Sequence, residues 1–187
     1  NNYKTDPASA YSVLQAKPEV KSIVMPDSVT SIGNCAFYGC SSLTNITIPD
    51  SITSIGNNTF YNCSSLTDVA VPNGVTSIGS YAFYGCSNLT SIAVPDGVIS
   101  LGDHAFSRCS GLTAITIPNS VTNIKDSAFS RCTSLTSITV STSVTSIESG
   151  AFSGCISLAS ITIPDRATSI GNGAFNDCIS LASVTYK

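Results

Sequence analysis

The thiols are the side chains with the greatest chemical potential in this sequence. Seven of the eight cysteines recur at a spacing of 23 residues: Cys40, Cys63, Cys86, Cys109, Cys132, Cys155 and Cys178. None forms a Cys-x-x-Cys pair, so a zinc site would need ligands from different repeats. In an in-register stack their Cβ vectors would run parallel rather than converge, and an odd column leaves one thiol over. We therefore predict free, buried cysteines that pack as small apolar side chains.

Cys35 stands outside that column. The equivalent positions of the other repeats hold Asn58, Tyr81, His104, Ser127, Gly150 and Gly173. This set predicts an exposed position, and an exposed thiol is a candidate for reaction. A harmless substitution is the alternative interpretation.

The remaining reactive side chains give no catalytic or metal-binding constellation. His104 is the only histidine, Asp103 directly precedes it, and no serine is placed as a nucleophile. The aspartates that recur in one column are explained by turns, and one oxygen per repeat is a thin ligand set for calcium. These are Asp27, Asp50, Asp96 and Asp165. We predict no enzyme activity, no cofactor and no metal.

The charge balance excludes some classes of partner. Eight Lys and Arg residues stand against eleven Asp and Glu residues, for a net charge of −3. Without a basic stripe, nucleic acid is not expected as a partner. No apolar run approaches the roughly 18–20 residues that cross a bilayer, so we predict no membrane span in this segment. Lys125 and Glu148 replace glycine in adjacent repeats, which predicts an ion pair between them.

The element that must position all these side chains is a 23-residue repeat. All the phenylalanines fall on it: Phe37, Phe60, Phe83, Phe106, Phe129, Phe152 and Phe175. A fixed period of 20–30 residues is the signature of a solenoid, in which each unit buries its apolar face against its neighbours. Stacked in register, the units form a parallel ladder with about 4.8 Å per repeat.

Each repeat predicts a strand, a turn, a second extended segment and a helical turn. The alternation at 89–94 is typical of a strand, and the following Pro-Asp-Gly is typical of a turn. Val75–Ile78 predicts the second extended segment. The stretch Ala-Phe-x-x-Cys-x-x-Leu has helical spacing and follows a column of helix N-cap residues. That column is Asn34, Asn57, Ser80, Asp103, Asp126, Ser149 and Asn172.

The two ends differ from the regular array. Residues 1–25 predict a degenerate N-terminal capping repeat, helical over Ala8–Ala16, and residues 26–187 predict seven repeats in one solenoid domain. The chain stops at Lys187, at the end of a repeat and without a polar capping unit. Because solenoids need capping ends, we expect that this segment was excised from a longer protein.

The repeat resembles a known family. Leu43-Thr-Asn-Ile-Thr-Ile resembles the leucine-rich repeat. The fuller pattern, Ile-Pro-Asp-Ser-Val-Thr-Ser-Ile-Gly-x-x-Ala-Phe-x-x-Cys-x-x-Leu, resembles the BspA-like (Treponema pallidum-type) subclass over residues 26–187. The resemblance implies an α/β-class, right-handed leucine-rich-repeat solenoid, a parallel β ladder with short helical turns. It also implies a secreted or cell-surface protein associated with adhesion to a host matrix or to neighbouring cells.

Together these features predict a non-enzymatic recognition module that binds protein or glycan. We define the aromatic flank as the seven candidate interaction residues that follow or precede the phenylalanines: Tyr38, Tyr61, Tyr81, Tyr84, His104, Arg108 and Arg131. Tyr and Arg are enriched at binding hot spots. The alternative surface is the strand face, which we expect to be flat and weakly polar. It is represented by Asn45, Thr47, Asp68, Ser91, Thr116, Ser137 and Thr139.

Two further functions stay open on the sequence. The array could be a structural spacer that holds other domains apart and has no ligand of its own. An ice-binding surface would need a regular ladder of threonine on the strand face, and Ala70 and Ala93 interrupt that ladder.

Overall fold

A computed structural model describes residues 19–186, and within them the secondary structure consists of short strands. Thirteen strands of two to four residues follow one another through this part of the chain. They are β1 (Ser22–Val24), β2 (Asn45–Thr47), β3 (Ser54–Ile55), β4 (Asp68–Val69), β5 (Ser77–Ile78), β6 (Ser100–Leu101), β7 (Ala114–Thr116), β8 (Asn123–Ile124), β9 (Ser137–Thr139), β10 (Ser146–Ile147), β11 (Ser160–Ile163), β12 (Ser169–Ile170) and β13 (Ser183–Tyr186).

The strands pair in parallel with a register of one repeat. Ser22 pairs with Asn45 in the first ladder, and Ser77 pairs with Ser100 in the second. The first ladder contains the sheets β1-β2-β4, β7-β9 and β11-β13, and the second contains β3-β5-β6 and β8-β10-β12. The predicted solenoid of parallel strands with a 23-residue repeat is therefore confirmed.

The phenylalanines form the centre of the core. Phe60, Phe83, Phe106, Phe129 and Phe152 have no solvent exposure. Each ring stacks on the next with centroids 5.2 to 5.5 Å apart. Because each ring packs on its equivalent in the neighbouring repeat, burial requires at least two adjacent repeats.

The predicted helical turns do not form, and no helix occurs in the described residues. The stretch around Phe83 is a series of turns in which alternate amides point in different directions. The N–H groups of Phe83 and Gly85 donate to Ala105 and Ser107 of the next repeat, at 2.8 and 2.9 Å, while Cys86 N–H donates back to Phe83. Since every second donor is used between repeats, the i→i+4 ladder of a helix cannot form. Residues 19–186 therefore contain no helix that could span a membrane.

The predicted N-cap column instead connects neighbouring repeats. The Asn34 side-chain oxygen accepts the backbone N–H of Asn57 at 2.8 Å, and the Asn57 side-chain oxygen accepts that of Ser80 at the same distance. Asp126 accepts from Ser149 in the same way at 2.9 Å. The residue types are those of helix caps because both roles need a short side-chain acceptor for a backbone donor.

The strand predicted at 89–94 is also wrong, since residues 91–94 pair with neither neighbouring strand. In the preceding repeat, β4 stops at Val69, directly before Ala70. Ala70 and Ala93 occupy a column that holds threonine in the other regular repeats. Alanine is a weaker strand former than threonine and makes smaller cross-strand contacts, which accounts for the interruption here.

The predicted N-terminal helix at Ala8–Ala16 lies outside the described residues. Residues 22–24 form β1 and continue the first ladder beside β2.

Candidate interaction surface

Three tyrosines of the aromatic flank form a stack along the solenoid. The ring centroids of Tyr38 and Tyr61 lie 4.5 Å apart and those of Tyr61 and Tyr84 lie 4.6 Å apart, with interplanar angles of 5° and 7°. The in-register repeat places these rings one above the other. Tyrosines that repeat in one surface column predict exposed side chains, whereas these rings are half-buried because each covers the face of the next.

A second aromatic pair joins this stack. Tyr81 and His104 stack with centroids 4.5 Å apart. Tyr81 also meets Tyr61 and Tyr84 in tilted contacts at 6.4 and 5.7 Å. Five aromatic side chains from four repeats therefore form one continuous surface, which is rigid because tyrosine and histidine have few rotatable bonds.

Two arginines lie beside the end of the tyrosine stack. The Arg108 guanidinium carbon lies 5.5 Å from the centroid of the Tyr84 ring, a cation–π distance. Arg131 occupies the same column one repeat further on. Tyr81, Tyr84, His104, Arg108 and Arg131 line one open pocket of about 260 Å³. The structure thus brings five of the seven predicted flank residues into one pocket, and Tyr38 and Tyr61 extend its aromatic side.

The backbone of these residues is a feature that the sequence prediction missed. Tyr81, His104, Arg108 and Arg131 have φ angles of 58°, 54°, 60° and 59°, in the left-handed region. Residues with a Cβ atom rarely adopt this conformation, whereas Gly and Asn adopt it more readily. The signal was present in the same two columns, which hold glycine or asparagine in other repeats: Asn58, Gly150 and Gly173 in one, and Gly39, Asn62, Gly85 and Gly154 in the other.

Charge is distributed unevenly around the flank. Partial burial is the main cause that raises the pKa of Tyr61, and the neighbouring phenols of Tyr84 and Tyr38 raise it further. The positive charge of Arg108 opposes this rise. Lys125 and Glu148 form the one ion pair of the described residues. Arg108 and Arg131 therefore have no carboxylate partner within residues 19–186.

The predicted ion pair between Lys125 and Glu148 is confirmed, with 2.9 Å between Nζ and Oε1. The hydrogen bond to Glu148 is the main cause that raises the pKa of Lys125. Asp103, Asp126 and Glu148 bring carboxylate oxygens within 4.8 Å of one another. The ammonium group of Lys125 compensates part of their charge, so this cluster is explained as an ion-pair network.

The cysteine column is free and buried, as predicted, except that Cys178 in the last repeat is half-buried. Each described thiol from Cys63 onward donates to the carbonyl of a phenylalanine in the preceding repeat, as Cys63 does to Phe37 at 3.0 Å. Burial raises the pKa of these thiols, to about 12 for Cys155. Cys35 is half-buried rather than exposed, so the structure gives less access to this thiol than we predicted.

The strand face is exposed but not flat. Its seven predicted residues all face solvent. A groove of about 430 Å³ lies where residues 91–94 leave the ladder, between Ser91 and the strands β7 and β9. A second groove of about 390 Å³ lies beside Ile138 and Val140. Neither groove contains a charged or aromatic side chain.

A family model decides the identity of the repeat. The BspA type leucine-rich repeat region matches six copies, over residues 11–135 and 100–187. The chain belongs to the BspA-type leucine-rich repeat family. A comparison with curated proteins finds no match.

Solved leucine-rich repeat proteins share the fold. A leucine-rich repeat protein from Bacteroides ovatus ATCC 8483 is 30% identical, with a TM-score of 0.78, over 92% of this chain and 56% of its own. One from T. pallidum is also 30% identical, with a TM-score of 0.78, over 86% of this chain and 77% of its own. A leucine-rich cell surface protein from Faecalibacterium prausnitzii A2-165 is 28% identical, with a TM-score of 0.66, over 95% and 62%. The chain thus spans less than two thirds of the length of the B. ovatus and F. prausnitzii proteins.

In this BspA-type chain the family motif and the candidate site use different residues. The repeated Phe, Cys and Leu positions of the motif form the core. The aromatic flank lies beside that motif and changes along the chain, from Tyr84 to Ser107 and Ser130 in one column. Leucine-rich repeat proteins generally act as non-enzymatic interaction modules. In such a module the surface positions that vary between repeats are the ones that can give specificity for a ligand.

Proposed function

We propose that this chain is a secreted or cell-surface recognition module that binds a protein or glycan of a host or neighbouring cell. Membership of the BspA-type family supports an interaction module, and the cell-surface relative from F. prausnitzii supports the location. The observation that carries the proposal is the aromatic flank, a rigid stack of rings that ends in two arginines.

The flank has the composition of a binding site rather than that of an inert scaffold. Tyr and Arg dominate interface hot spots because they offer a large contact area with few rotatable bonds or a planar set of donors. The fold does not need tyrosine at these positions, because the same column holds Ser107, Ser130, Ser153 and Asn176 in later repeats. The repeats that carry tyrosine therefore have a surface that scaffold packing alone does not require.

The strand face is the competing site. Its larger groove exposes Ser91, Ala93 and Thr116, and half-buried Val94 lies in its wall. Such small side chains suit an extended ligand, but they give little contact area and no charge for orientation. We therefore place the binding energy on the flank.

A screen with matched variants tests the proposed function. The chain is immobilised and screened against extracellular-matrix proteins and a glycan array, and the tightest binder is titrated. The double variant Tyr61→Ala and Arg108→Ala should weaken binding by more than about 1 kcal/mol, or roughly fivefold. Ser91→Gln and Thr116→Gln are the matched strand-face variants and should bind like the unchanged chain.

The result separates three accounts of the surface. Loss of binding in the strand-face variants alone would move the site to the groove at Ser91. Absence of binding to every member of both panels would contradict a recognition role and support the structural spacer.

A further inference from the structure

We propose that the pocket between Tyr84, His104, Arg108 and Arg131 binds an anionic sugar residue of a glycan, one that carries a sulfate or carboxylate group. This inference rests on the proposed function, because it assigns a ligand class to the same flank. The chemistry that recognises the ligand is a pair of guanidinium groups beside an aromatic wall.

The pocket is produced by a step in the surface. The tyrosine column ends at Tyr84, and the next two positions hold Ser107 and Ser130, which also line the pocket. Ser107 is buried, and its hydroxyl donates to the Ser130 carbonyl at 3.2 Å. Two small residues therefore follow a stack of three large rings, and an open space of about 260 Å³ lies beside them.

The pocket carries positive charge that the described residues do not neutralise. Arg108 and Arg131 are exposed, lie in adjacent repeats and form no ion pair within residues 19–186. Like charges in adjacent positions of a ladder repel each other. An anion between the two groups removes this repulsion, and the guanidinium fork matches the oxygen geometry of carboxylate and sulfate.

The backbone determines how the side chains around the pocket are presented. The four side chains that supply charge and stacking around the pocket, those of Tyr81, His104, Arg108 and Arg131, all stand on left-handed backbone. Glycine or asparagine occupies these two columns in other repeats and fits the conformation with less strain. Cys35, Ser127 and Asp177 have the same conformation outside the pocket, so left-handed backbone is a property of the two columns in every repeat. At the pocket it fixes the direction in which the charged groups and the rings project from the solenoid.

The lining favours a sugar over an acidic peptide. The pocket is open, and its walls consist of aromatic, guanidinium and hydroxyl groups, with no aliphatic side chain among them. An acidic peptide side chain would pair with the arginines and leave the aromatic wall without a partner. A sugar ring presents hydroxyl groups to Ser130 and the arginines, and an apolar ring face to an aromatic side chain such as His104.

The test uses a defined probe and variants that preserve the backbone. The probe is a sulfated heparin-derived octasaccharide, titrated by calorimetry into the full chain at low and physiological salt. Arg108→Asn with Arg131→Asn removes both charges and keeps the fold, since Asn62 occupies the same column at φ 55°. Lys21→Gln with Arg166→Gln is the charge-matched control, because both residues are exposed and lie outside this pocket.

We expect the arginine pair to account for most of the affinity. Arg108→Asn with Arg131→Asn should weaken octasaccharide binding at least tenfold with no loss of thermal stability, and the control should stay within twofold of the unchanged chain. Equal weakening in both double variants would overturn the proposal, because it would mean general attraction of a polyanion. Preference for a poly-glutamate peptide over the octasaccharide would overturn it in favour of an acidic protein partner.

The failure of this inference is distinguishable from the failure of the proposed function. Binding to a neutral glycan or to a protein in the screen, without binding to the octasaccharide, would reject the anionic-sugar site and leave the recognition role in place. Binding to nothing in either experiment would reject both.

Discussion

The thiol of Cys109 lies 3.1 Å from the carbonyl oxygen of Phe83, one repeat earlier in the chain. The same contact recurs from Cys63 to Cys178, with sulfur–oxygen distances of 3.0 to 3.2 Å. The Phe83 carbonyl already accepts the N–H of Cys86. The recurring Phe-x-x-Cys spacing thus produces a contact between neighbouring repeats. In this contact a small apolar side chain also supplies a weak hydrogen-bond donor, its S–H group.

Thiol titration tests the state of the cysteine column. Native chain should expose at most two slowly reacting thiols, those of half-buried Cys35 and Cys178, and denatured chain should expose all eight. Cys35→Ser is the control and should remove one of these two native reactions. Two or fewer thiols after denaturation without reductant would show that the column is disulfide-bonded, contrary to the structure.

Stability should fall when the pH rises above the ordinary thiol pKa of 9.0. Burial raises the pKa of the column thiols, so between pH 9 and about 12, the folded value for Cys155, the unfolded chain loses protons that the folded chain keeps. This stability is fully present below pH 9 and decreases by about 1.4 kcal/mol per pH unit for each buried thiol. Urea unfolding at pH 8 and pH 10 measures it. Cys109→Ala should reduce the pH dependence by the contribution of one thiol, and an unchanged slope would contradict this assignment.

Loss of a core ring should depend on its position in the array. Phe106→Ala removes a fully buried ring that stacks on both neighbours, and we expect it to cost about 3–5 kcal/mol. Phe175 is half-buried and stacks on Phe152 only, so Phe175→Ala should cost about 1–2 kcal/mol. Urea unfolding should also show a broader transition for Phe106→Ala, because it separates the two halves. Equal midpoints and equal sharpness would contradict a chain of nearest-neighbour contacts.

The left-handed column gives a matched pair of opposite changes. Ser127 has φ 51°, so Ser127→Gly should relieve backbone strain. We expect it to raise the free energy of unfolding by up to about 1 kcal/mol. Gly150 has φ 61°, and a Cβ atom there would lie 3.1 Å from the Ser127 hydroxyl, so Gly150→Ala should cost about 1–2 kcal/mol. Thermal unfolding of the two variants measures both signs. Destabilisation by Ser127→Gly together with tolerance of Gly150→Ala would be inconsistent with this backbone.

The asparagine contacts between repeats can be distinguished from helix caps by hydrogen exchange. Asn57→Ala removes the acceptor of the Ser80 N–H and should cost about 1 kcal/mol. Exchange should accelerate at the Ser80 amide in the next repeat. Acceleration confined to the Phe60 amide of the same repeat would instead favour a local cap.

The sequence predicts the architecture of this chain well, because the stacking of identical side chains follows from the period alone. Phe83 and Phe106 are one repeat apart and therefore share a column, and the same argument places Lys125 beside Glu148. Local conformation was harder to predict. The apolar positions of Ala82, Phe83 and Cys86 suit a helical turn and a chain of turns equally well. Glycine and asparagine at the left-handed positions distinguish the two, and that signal is hidden where Tyr81 or Arg108 replaces them.

The candidate site, too, is only partly predictable from the repeat period. The tyrosine stack follows from the column of Tyr38, Tyr61 and Tyr84. The pocket beyond it depends on how two columns approach each other, and the period does not give that distance. The groove near Ser91 depends on whether a strand pairs, which tertiary packing decides.

The most direct test of the flank as the binding surface is an NMR titration of the full chain with the tightest ligand from the screen. Our account predicts that backbone amide shifts concentrate at the turns that carry Tyr84, His104, Arg108 and Arg131. The amides of β7 and β9 should change little. Shifts concentrated in Ala114–Thr116 and Ser137–Thr139, with the turns unaffected, would contradict the account and place the ligand in the strand-face groove.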